Sequence, residues 1–76
     1  MNDSRRATLH SANALIEQAR SMVDGVYDKE CDALNNVPES FECTEKYEKM
    51  ENAVDLLEEA LSGIDDVIEQ ITEACQ

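Results

Sequence analysis

The sequence has no tryptophan, two tyrosines and a single phenylalanine, so an aromatic-rich strand architecture has little to build on. One proline and two glycines are too few breakers for a chain of many short elements. Bases are scarce, six against 18 acids, and the net charge of −12 argues against direct nucleic acid binding through phosphate neutralisation. The same charge disfavours anionic membrane surfaces. No run of about 18 apolar residues exists, which excludes a transmembrane helix. The stretch MNDSRRATLHSANALIE carries two arginines without an uninterrupted apolar segment after them, unlike a secretory signal. Cys31, Cys43 and Cys75 form an odd set without a disulfide-framework pattern, so reduced thiols in the cytosol are expected.

What remains is helical. Ala, Leu, Glu, Asp and Ile dominate, and a 42% apolar content argues against disorder of the whole chain. Seventy-six residues allow one small domain, marginal if it stands alone. Tyr47, Val54, Leu61, Ile68 and Cys75 recur at seven-residue steps, position a of a heptad. Met50, Leu57, Ile64 and Ile71 fill position d, so the spacing predicts a long helix over about 44–75 in a coiled-coil-like contact. Position g adds Ala53, Ala60, Val67 and Ala74, a stripe wider than a two-stranded seam requires.

The first helix, expected over about 4–35, is less regular. Leu9, Ala12, Ile16, Ala19, Val23, Val26 and Ala33 hold seam spacing, widened by Leu15 and Met22. At Glu30 that seam meets a charge, and Tyr27, Cys31 and Leu34 carry it onward, which reads as a stutter rotating the buried face. Between the helices, Asn35 and Asn36 suit a left-handed helix stop, and Val37 before Pro38 is pushed toward extended backbone. Ser40 or Thr44 then caps the second helix. The fold class expected is all-α: an antiparallel helical hairpin over 1–76 with its loop at about 36–43. Pairing two hairpins into a four-helix bundle would bury the widened stripes, so a homodimer is expected. Docking onto a foreign helix is the competing way to cover the same surface. Residues 14–29 and 55–70 align without gaps with six identities, an internal echo that periodic helices also produce by convergence.

No catalytic constellation stands out, and no enzyme activity, cofactor or metal is expected. His10 lies on the polar side of its helix, and Glu58-Glu59 and Asp65-Asp66 are neighbours that diverge around a helix. Cys31 and Cys43 are too far apart in sequence for a zinc knuckle, although they flank the turn and could be bridged in an oxidising setting. The unusual feature is acidic. Glu48, Asp55 and Glu69 take position b, Glu51, Glu58 and Asp65 take e, and Glu59, Asp66 and Glu73 take f. Like charges at these spacings repel, which a stability-only design avoids. Such a ridge offers spaced anions to a basic, nucleic-acid-binding protein, while a solvating face is the plainer explanation. Pro38, Glu39, Ser40 and Phe41 form a second candidate surface at the loop, with Phe41 expected to cap the end of the core.

The run NNVPESFECTEKYEKMENAVDLLEEALSGIDDVIEQI resembles short, largely uncharacterised acidic proteins of phages and mobile elements in Gram-positive bacteria. Asn36, Pro38, Glu39, Ser40, Thr44, Glu45, Lys46, Met50 and Glu51 match the N-x-P-E-S loop and the helix start that follows it. The likeness covers the C-terminal half; Phe41 and Cys43 fall where the pattern varies and receive no role from it. It implies a helical hairpin, a bacterial or phage cytosolic setting, and an accessory role such as inhibition of a host defence system, for which the acidic ridge suggests DNA mimicry as the means. The alternative is a structural coiled-coil assembly or adaptor protein that works through its apolar stripe.

Overall fold

A computed structural model describes residues 1–76 as two long helices joined by a short turn, with no strands. Helix α1 spans Asp3–Asn35 and helix α2 spans Glu45–Ala74, with a single 3₁₀ turn at Glu39–Phe41 between them. The helices pack against each other along their lengths. The resulting rod measures 59 × 15 × 13 Å.

Each boundary has a local cause. The Asn2 side chain accepts a 2.8 Å hydrogen bond from the Arg5 amide and caps α1. At the other end α1 stops without the left-handed residue expected of Asn35 or Asn36: no non-glycine residue has a positive φ, and Asn36 sits at φ −95°, ψ 2°. Its amide still bonds back to Asp32 and Ala33, and the Val37 amide to Leu34. Pro38, at φ −61°, ψ 146°, has no amide hydrogen to continue the ladder and turns the chain. Thr44, not Ser40, caps α2: its hydroxyl accepts from the Tyr47 amide at 3.2 Å and donates to the Phe41 carbonyl at 2.8 Å.

On α2 the packed seam is the one that the heptads predict. Tyr47, Met50, Val54, Leu57, Ile64, Ile68 and Ile71 are half-buried, and Leu61 is the one fully buried residue, 7% exposed. On α1 the seam differs. Leu9, Ile16, Val23 and Glu30 alternate with Asn13, Arg20, Tyr27 and Leu34, all half-buried, at uninterrupted steps of three and four. Ala19, Val26 and Ala33 are exposed instead, and no stutter occurs. Burying Tyr27 and Leu34 removes more apolar area than burying Val26 and Ala33 could. The polar members find partners across the hairpin: Asn13 Nδ2 donates to Thr72 Oγ1 at 3.2 Å and Ile68 O at 3.4 Å, and Arg6 Nε donates to Cys75 O at 3.1 Å. Arg20 grips Asp65 with two bonds, Nε to Oδ1 at 2.6 Å and a terminal nitrogen to Oδ2 at 3.1 Å.

Candidate functional site: an acidic side and an acid-free side

Heptad letters now place every residue around the rod. With Asn13, Arg20, Tyr27 and Leu34 as position a of α1, Leu9, Ile16, Val23 and Glu30 become d. Viewed along the hairpin, two antiparallel helices wind in opposite senses, so the same letter falls on the same side of the pair. Positions e and b of both helices look one way, and positions g and c look the other. The Arg20–Asp65 and Asn13–Thr72 bonds, each from a to e, run across the first of these sides.

That first side is acidic on both helices. Glu48, Glu51, Asp55, Glu58, Asp65 and Glu69 of α2 face it, joined by Glu17, Asp24 and Asp28 of α1. Glu59, Asp66 and Glu73 at position f extend the acids around the outer edge of α2, all exposed. The contribution of α1 escapes a reading of the sequence that sets its seam one residue off. Asp65 is also set apart from its neighbours in the ridge, because Arg20 neutralises it within the hairpin. The bonded and charged Asp65 raises the Arg20 pKa above its ordinary value, with Asp24 adding to the effect.

The opposite side carries no acid from either helix. None of the 18 aspartates and glutamates occupies position g or c of either helix. Position g reads Ala12, Ala19, Val26, Ala33 on α1 and Ala53, Ala60, Val67, Ala74 on α2. Position c supplies Leu15 and Met22, then Leu56 and Gly63. Leu15 is 66% exposed, Met22 75% and Leu56 56%, so the hairpin leaves this stripe largely uncovered. Four of the six bases flank it: Arg5 toward the open end of the hairpin, and Lys29, Lys46 and Lys49 toward the loop. The six identities of the internal echo divide evenly between the two sides, Leu15/Leu56, Ala19/Ala60 and Val26/Val67 at c and g and Glu17/Glu58, Ser21/Ser62 and Asp24/Asp65 at e and b, and none lies in the seam.

At the loop, Val37, Pro38, Phe41, Thr44, Tyr47 and Met50 line an open, mainly apolar cleft of about 360 Å³. Phe41 does not cap the core as expected; it closes the 3₁₀ turn 56% exposed, on the wall of this cleft. Pro38, Glu39 and Ser40 are exposed beside it. Burial pushes the Tyr47 phenol above its ordinary pKa, helped by Glu51 and Glu42. The neighbouring Cys31 thiol and, after it, the charge of Glu58 raise Tyr27 likewise. Cys31, Cys43 and Cys75 are free thiols, with Cys43 exposed. No group of three or more His, Cys, Asp or Glu side chains is arranged to hold a metal ion. No helix is long and apolar enough to cross a membrane.

Comparison with protein-family models, with curated proteins and with solved structures returns no match for the chain.

Proposed function

We propose that this chain is a non-enzymatic protein–protein interaction module whose acidic side docks into a basic groove of a nucleic-acid-binding protein. The observation that carries this reading is the segregation of charge: every helical acid is kept off one side of the rod. Solubility alone needs only dispersed charge. Concentrating carboxylates at e, b and f costs repulsion along α2, where no Lys or Arg follows Met50. The two acidic rows belong to helices whose axes lie about 8–10 Å apart in a packed pair. That separation is of the same order as the grooves of duplex DNA, about 6–12 Å wide. In the sharper form, the module occupies the groove in place of nucleic acid, as an inhibitor from a phage or mobile element would. The bundle is completed by a second hairpin, giving a homodimer with an acidic side on each outer face.

The exposed apolar stripe supports a second reading, an adaptor that grips partners through Leu15, Met22 and Leu56. Capture of bacterial host proteins at graded salt distinguishes the two. In the groove reading, partners elute steeply with salt and with competing duplex DNA. They are also lost to a chain carrying Glu48, Glu51, Asp55 and Glu58 all as lysine. Asp65 is left unchanged because it anchors Arg20. Partners that survive high salt and charge reversal would contradict the groove reading and favour the adaptor.

A further inference from the structure

We infer that the acid-free g/c side is the self-association face, and that a second copy docks on it antiparallel, the loop end of each hairpin over the open end of the other. This rests on the dimer named above and specifies its face and orientation. The occupant follows from charge. Two chains of net charge −12 repel, and a face free of helical acids is where a second copy approaches at least cost. A basic partner would be drawn to the opposite side instead.

The pattern of the face supports self-docking as well. Its two helices carry the same order of small residues at position g, Ala-Ala-Val-Ala, at a constant offset in the chain. The face is therefore nearly symmetric about its own centre, level with Met22 and Gly63, and presents matching ridges when turned over. A twofold interface requires that self-complementarity. A rod 59 Å long and 15 Å wide offers an area comparable with the ~800 Å² per partner of a standard interface. The need is also present, since Leu61 alone is fully buried within the hairpin.

Orientation follows from the flanking charges. Lys29, Lys46 and Lys49 crowd the loop half of the face, with Glu45 and Glu59 on the outer edge of α2 beside them, while toward the open end Arg5 is the one flanking base and Asp66 and Glu73 line that edge. A parallel pairing gathers six lysines at one end. An antiparallel pairing divides them between the two ends and sets the three of each copy toward Asp66 and Glu73 of the other, with Arg5 the one base there, the less repulsive arrangement.

The native Cys43, exposed beside the loop, reports the orientation directly. It is spin-labelled in full-length protein carrying Cys31→Ser and Cys75→Ala, and inter-label distances are measured by pulsed dipolar spectroscopy. In antiparallel pairing the labels sit at opposite ends of a 59 Å rod, so a distance well beyond half that length is expected. A short distance, loops together, overturns the orientation while leaving a dimer. A monodisperse monomer without dipolar coupling overturns the dimer as well. Met22→Glu identifies the face. Because Met22 is 75% exposed, the variant keeps its helical circular dichroism and becomes monomeric; a helical Met22→Glu dimer would overturn the choice of face. None of these outcomes depends on capture of a basic partner.

Discussion

At the scale of single residues, the seam of α1 is defined by polar side chains. Asn13 donates to Ile68 and Thr72, yet its Oδ1 is buried without a partner. An orphaned buried acceptor costs about 1–3 kcal/mol, and a polar residue at position a is a known means of fixing register. Asn13→Leu is therefore expected to raise unfolding stability by roughly 1 kcal/mol or more. It should also broaden the distribution of assembled states, read by denaturant melts beside sedimentation velocity. The two tyrosines provide a pH test. Both phenols have raised pKa values and are held neutral in the fold. Their contribution is complete below the unfolded value of about 10 and is lost as pH rises through the higher folded values. The denaturation midpoint should fall across that alkaline window more steeply in the native chain than in a Tyr27→Phe, Tyr47→Phe double variant. Equal slopes would show that the tyrosines are not involved.

At the scale of elements, the helices are long but imperfect, and their glycines show where packing is absent. A Cβ at Gly25 or at Gly63 would meet nothing within 4 Å in the hairpin. Gly25→Ala, at position f and away from both proposed surfaces, should stabilise by about 1 kcal/mol through helix propensity alone. A thermal or urea melt at fixed concentration checks it, and a loss of stability would mean that Gly25 has a neighbour outside the hairpin. The extents of both elements were legible in the sequence because heptads, Pro38 and Thr44 act locally. The seam of α2 was legible too, since all its large apolar residues fall in one register. The seam of α1 was not. Ala12, Ala19, Val26 and Ala33 keep perfect spacing, while Asn13 and Arg20 look like surface residues until Thr72 and Asp65 are placed opposite them. Only pairing across the hairpin decides between the two stripes, and pairing is not a local property. The same limit hid the acids of α1, because Glu17 and Asp24 join the ridge only once the buried face of α1 is known.

At the scale of the whole molecule, one rod carries two opposed sides: an acidic one suited to a basic groove and an acid-free apolar one suited to another copy. Helices that bury Leu61 alone as a full core residue are marginal as an isolated hairpin. In the proposed dimer, covering the g/c side would supply the missing burial and leave both acidic sides facing outward. The most direct measurement is sedimentation equilibrium of the native chain across concentration at low and high salt. The expected result is a mass of two chains, twice 8.5 kDa, with association that tightens as salt rises. Salt screens the repulsion between two chains of net charge −12 without weakening apolar contact. A stable helical species of single-chain mass at micromolar concentration, unchanged by salt, would contradict it.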